Sequence, residues 1–175
     1  CNFACPYCFE GEKKTKVITD EVIDSLICFI NGYTSVKKLD LTWYGGEPLM
    51  AFNKIKQIIH KINDECNVEI SSQSIITNAY LLSDNVIRDM MNLGFTQVQI
   101  SFDGDEENHD KTRFLKGNKG KTFAKIIGNL DNLVSQTPDD FKIDLRINVN
   151  KTNEKDFAIL LSSEHTGHSL GKPTD

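Results

Sequence analysis

Segments with a helical apolar repeat alternate along this chain with segments in which every second residue is apolar, and that order constrains the fold more than any other feature. A helix is predicted at about 19–31, with Thr19 as its cap, Asp20 and Glu21 at its positive end, and Val22, Ile23, Leu26, Ile27 and Ile30 as its stripe. Leu39, Leu41 and Trp43 then alternate in a short strand that stops at Gly45-Gly46-Glu47-Pro48. A second helix follows at about 52–63, with Ile55, Ile58, Ile59 and Ile62 on one face. The pattern repeats as a strand near 72–77, a helix near 83–93 closed by Gly94, and a strand near 96–102. After a long polar loop come a helix near 122–135 and a strand near 141–149; Asn153 caps a last helix into residue 161.

Helices and strands that alternate at a spacing of roughly 25 to 45 residues are the mark of parallel βα units, an α/β fold built either as a barrel or as an open doubly wound sheet. Periodicity does not separate the two. Residues 1–161 are expected to form a single core domain and residues 162–175, which lose all apolar periodicity, a loose tail. The chain opens on Cys1 with no initiator methionine or leading element, and it reads as a fragment.

Charge narrows the function. A net charge of -5 disfavours a nucleic-acid-binding surface, which calls for a basic stripe. The lysines at 116, 119, 121 and 125 sit among glycines and read as a solvated loop. No run approaches the ~20 apolar residues that span a bilayer, and no signal peptide is visible. A cytoplasmic protein that binds neither nucleic acid nor membrane is expected.

Cys1-Asn-Phe-Ala-Cys5-Pro-Tyr-Cys8 places three of the five cysteines in one short loop. Three thiols so close would converge on one soft metal centre. A four-iron cluster ordinarily takes four thiolates, so three local ones would leave one iron open to an outside ligand. A structural zinc site completed by a fourth ligand, or unligated thiols, are the alternatives. Cys28, inside the first helix, and Cys66, just past the second, read as free thiols.

The spacing Cys1-x-x-x-Cys5-x-Tyr7-Cys8, with an aromatic before the third cysteine, resembles the cluster loop of the radical S-adenosylmethionine superfamily. Gly45-Gly46-Glu47-Pro48 at a strand end is similar to that family's glycine-rich segment beside the methionine amino group. Glycines let backbone carbonyls approach a ligand, and Glu47 would supply negative charge for an ammonium. The resemblance implies a (β/α)6-type partial TIM barrel, incomplete in this chain, whose [4Fe-4S] cluster on Cys1, Cys5 and Cys8 splits S-adenosylmethionine to a 5′-deoxyadenosyl radical. It further implies Tyr7 near the adenine, and Asn78 in Thr-Asn-Ala and Ser101 in Ser-Phe-Asp-Gly lining the cofactor site. An electron donor such as a flavodoxin or ferredoxin is implied as well.

Polar residues gather at the predicted carboxyl ends of strands, where α/β folds bind ligands: Thr77 and Asn78, Ser101 and Asp103, Asn148 and Asn150. Arg146, among alternating apolar residues, points either inward to a carboxylate or outward to water. Asp103-Gly104, His109-Asp110, Arg113 and the glycines at 117 and 120 resemble a segment of peptide-modifying members, the sulfatase-maturating enzymes and maturases with a SPASM extension, so a peptide or protein substrate is expected. His109 itself reads as a solvated loop histidine. The strand that precedes the cluster loop in the family is missing from the sequence, which leaves the loop without an anchor on that side. A zinc-stabilised α/β binding module and an inactive truncated relative are the rival readings.

Overall fold

A computed structural model of the chain describes residues 1–10, 16–151 and 153–154. Its strands are β1 (Lys38–Trp43), β2 (Glu69–Thr77), β3 (Gln97–Phe102) and β4 (Lys142–Ile147), and they form one parallel sheet in the order β1-β2-β3-β4. Helix α1 (Asp20–Gly32) precedes the sheet, α2 (Phe52–Glu65) and α3 (Asp84–Asn92) make the first two crossovers, and α4 (Glu106–Thr112) and α5 (Phe123–Gln136) make the third. This is the α/β architecture that the alternation predicts. The tail at 162–175 and, beyond Asn153 and Glu154, the last predicted helix lie outside the described residues.

Parallel strands usually bury both faces and read as unbroken apolar runs. These alternate because only one face carries helices. On that face Ile75, Val98, Ile100 and Phe102 pack with Ile55 and Ile59 of α2, Ile87 and Met90 of α3, and Ile126 and Leu133 of α5. Ile23 and Ile27 of α1 join Ile58 and Ile62 in a second cluster. The other face is polar and laterally bonded. Ser72 donates to Asp40 at 2.6 Å, the Thr42 and Ser74 hydroxyls meet at 3.0 Å, and Gln97 Nε2 donates to Asp144 at 2.5 Å.

Two expectations change after β3. Part of the predicted polar loop is α4, whose first turn is capped by the Asp105 carboxylate accepting from the Asn108 amide at 2.9 Å. Seven residues without an apolar repeat leave no periodic signal. His109, expected in solvent, is wholly buried, with Phe102 and Phe123 rings 5.5 and 5.4 Å from its own. Neither ring nitrogen has a hydrogen-bond partner among the described residues. Burial, reinforced by the Arg113 charge and opposed by Asp103 and Asp110, pushes its pKa down to about 4.

The unfolded chain takes up this proton near the ordinary value of 6.5 while the native imidazole stays neutral, so native stability is lost as pH falls from about 6.5 toward 4. In urea titrations, the stability lost between pH 7 and pH 4.5 should be smaller by about 2 kcal/mol in His109→Leu than in the parent. Equal losses would show that the imidazole is not held neutral.

Candidate functional site

The carboxyl ends of β1, β2, β3 and β4 and the cysteine loop enclose one cleft of ≈ 310 Å³. Cys1, Cys5 and Cys8 line it together with Tyr7, Gly45, Gly46, Glu47, Asn78, Ser101 and Arg146. Thus the residues expected to hold cluster and cofactor meet at one place, with one exception. Pro48 does not join them, because it is buried as the first residue of a 3-10 turn (Pro48–Ala51), where its fixed φ and missing N–H suit the start of a helix. Arg146 stands on the polar face, paired in register with Ser101, which settles its direction.

The cysteine loop is held by the segment that follows α4 and by Tyr80. Phe3 has no exposed surface and packs edge-to-face on Tyr80 at 5.8 Å. Its backbone bridges Leu115, Ala4 N–H donates to Phe114 at 3.0 Å, and Lys116 N–H donates to Asn2 at 2.8 Å. The loop is therefore anchored by residues 114–116 and by the packing of Phe3. Its three thiols form no disulfide and are partly exposed. The Cys1 sulfur accepts from the Phe3 amide at 3.5 Å and has Asn78 Nδ2 at 4.0 Å.

Position 46 is crowded: a Cβ there would lie 3.2 Å from Cys1 Cβ and 3.1 Å from Glu10 Oε2, so a side chain would push on the cysteine loop. At Gly45 a Cβ would meet nothing within 4 Å, so packing does not call for glycine there. Glu47 behaves differently from the expectation of a charge facing an ammonium. Only 6% exposed, its carboxylate accepts from Thr77 Oγ1 at 2.6 Å and from the Asn78 and Leu49 amides at 2.8 and 3.1 Å. It braces the exit of β1 against the exit of β2. Burial raises its pKa, while the Thr77 hydroxyl and the two amides pull it down.

A guanidinium that the resemblance marked, without a role, ties Tyr7 down. Arg113 Nη1 donates to the Tyr7 hydroxyl at 3.0 Å and lies 4.0 Å from the buried Asp103 carboxylate, its guanidinium 5.8 Å from the Phe3 ring. Asp103 also accepts from Thr112 at 2.7 Å and from Asn148 at 3.0 Å. Burial pushes the Tyr7 phenol up; Arg113 lowers it and Asp103 raises it further, so the hydroxyl stays protonated. Asn129 of α5 was missed. It donates to the carbonyls of Ala79 and Tyr80 at 2.7 and 3.1 Å and holds Ala79 at φ 58°, a left-handed turn that closes the exit of β2. The resemblance marked Arg113, but nothing local marks Asn129, a polar residue within an apolar stripe.

The donor set fits a soft metal centre: three reduced thiols on one anchored loop, one of them supplied with N–H donors. As they stand, no three His, Cys, Asp or Glu side chains among the described residues are grouped for a metal ion, so the thiols would draw together on binding.

Residues 1–162 match the model of the radical SAM superfamily. The chain is 32% identical over 131 residues to an uncharacterized protein of Methanocaldococcus jannaschii, covering 73% of this chain and 43% of that one. It is 31% identical over 144 residues to a serine-type anaerobic sulfatase-maturating enzyme of Bacteroides thetaiotaomicron, covering 75% and 33%. Among solved structures, native anSMEcpe with bound AdoMet and Kp18Cys peptide superposes with a TM-score of 0.65 at 26% identity, covering 84% of this chain and 39% of that one. The chain spans about a third to two fifths of the length of these curated relatives.

Removal of the Arg113 guanidinium leaves Asp103 buried without its cation, and Arg113→Leu should cost about 3 kcal/mol. Tyr7→Phe should cost about 1 kcal/mol in the parent and almost nothing in the Arg113→Leu background, as read from a double-mutant cycle by urea denaturation. Strict additivity would mean that Arg113 does not hold Tyr7.

Proposed function

The chain belongs to the radical SAM superfamily, and on that premise we propose that it is the core of an enzyme that cleaves S-adenosylmethionine on a [4Fe-4S] cluster in order to modify a peptide or protein side chain. The observation that carries this reading is the meeting of three cysteine thiols, the Gly45-Gly46 turn and four strand ends at one cleft. Cys1, Cys5 and Cys8 would hold the cluster. When bound, the cluster supplies the electron that splits S-adenosylmethionine to methionine and a 5′-deoxyadenosyl radical, which abstracts hydrogen from the substrate.

The chain's own residues orient and bind. Amide donors to Cys1 stabilise its thiolate and so favour the reduced site. The Gly45-Gly46 turn, which lines the cleft, would offer a backbone carbonyl to the methionine ammonium, while the Glu47 carboxylate braces the turn through Thr77 and Asn78. Arg146 is the cation on the polar face suited to the methionine carboxylate, with Ser101 beside it in register. Tyr7, protonated and fixed by Arg113, offers its ring to the adenine. Asn78 ties the loop to the exit of β2 by donating to Asn2 at 2.8 Å.

A peptide substrate is favoured by the similarity to a sulfatase-maturating enzyme and to a structure with a bound peptide. A one-electron donor of the flavodoxin or ferredoxin type would feed the cluster. Among the described residues no helix is long and apolar enough to cross a membrane, and free thiols suit the reducing cytoplasm.

Metal analysis of the full-length protein, purified without oxygen and reconstituted with iron and sulfide, tests the reading. Alanine at Cys1, Cys5 or Cys8 should remove about four irons relative to the parent, whereas Cys28→Ala should remove none. Stoichiometric zinc lost with the same cysteines would instead favour a structural metal site.

A further inference from the structure

We propose that the turn carrying Lys116 and Lys119 is the docking surface for an acidic one-electron carrier protein, which delivers its electron through the back of the cysteine loop. The inference rests on the cluster reading above. From sequence these lysines read as a solvated loop, but the structure pins that loop to the cysteines. Leu115 bridges Phe3, Ala4 N–H donates to Phe114, and Lys116 N–H donates to Asn2, the residue next to Cys1. Surface and cysteine loop are thus one hydrogen bond apart.

The turn is built to present charge. Leu115 N–H donates to Gly120 at 3.0 Å and Gly120 N–H to Asn118 Oδ1 at 2.9 Å, while Gly117 and Lys119 take left-handed conformations at φ 98° and 51°. Lys119 lies over the Phe114 ring at 5.8 Å. Lys121 is shared with Glu106 and Asp110 at 3.7 and 4.0 Å, but Lys116 and Lys119 are exposed and have no ion pair among the described residues. Two exposed lysines without an acidic partner among the described residues would steer an acidic carrier to this turn, most strongly at low salt.

The opposite flank of the cysteine loop faces the cleft, which S-adenosylmethionine and the peptide would fill. An electron carrier must therefore approach by another side, and the lysine turn backs the loop there. One electron leaves the reduced flavin of the carrier and enters the cluster; the carrier is oxidised by one electron and no covalent bond is made or broken.

The test uses the full-length, cluster-loaded protein and a reduced flavodoxin as the probe, with binding followed by calorimetry and cluster reduction by stopped flow. The double charge reversal K116E/K119E should weaken binding and slow reduction by roughly tenfold at low salt, an effect that added salt erases. Iron content and reduction by dithionite should be unchanged. K142E, at the amino end of β4, serves as the distant control and should bind as the parent does. Unchanged binding in K116E/K119E, an equal loss in K142E, or a loss confined to binding of a substrate peptide would each overturn the proposal. Failure to load a cluster would instead sink the functional reading, with the binding measurement still reporting on the turn.

Discussion

Burial of one aromatic ring fixes the site. Phe3 lies between two prospective metal ligands, Cys1 and Cys5, and has no exposed surface. A phenylalanine buried to this extent contributes on the order of 2–3 kcal/mol of transfer free energy, enough to hold a short loop that has no secondary structure of its own. Around it the backbone bonds to residues 114–116 align the loop, and Arg113 spans the Phe3 ring and the Tyr7 hydroxyl. The cysteines are thus placed by a hydrophobic anchor on the carboxyl edge of the sheet, before any metal draws them together.

The edge itself is stiffened by buried polar groups, each satisfied by the next. Glu47 joins the exits of β1 and β2, and Asn129 reaches from α5 to the turn after β2. Asn153 donates to the carbonyls of Asp103 and Asn148 at 3.1 and 2.8 Å, which joins the exits of β3 and β4. A buried carboxylate or amide left unpaired costs about 1–3 kcal/mol or more, so these networks tolerate little displacement. Catalytic geometry held to that tolerance belongs on strand ends rather than on free loops.

Most of the fold was legible because apolar period reports directly on which face is buried. Helices and strands lie within a few residues of their predicted bounds. β2 starts earlier than its alternation suggests, at Glu69, where pairing with Lys38 adds residues 69–71, of which only Ile70 packs against the core. The cysteine spacing and the glycine turn were legible for a different reason, since their chemistry is local. Contacts between distant residues left no trace. Arg113 and Tyr7 are 106 residues apart, and Phe3 looks in sequence like filler between cysteines. His109 misled because its neighbours are charged, while the aromatic rings that bury it come from β3 and α5. Glu47 was legible as a site residue, but its role as a brace was not.

The central claim is that the three thiols hold a cluster with one iron open to S-adenosylmethionine. Electron paramagnetic resonance of the reduced, reconstituted full-length protein, recorded with and without S-adenosylmethionine, tests it most directly. A reduced-cluster signal that shifts on addition of S-adenosylmethionine, and that disappears in Cys5→Ala, is expected. A signal indifferent to S-adenosylmethionine, or one that survives loss of Cys5, would contradict the claim.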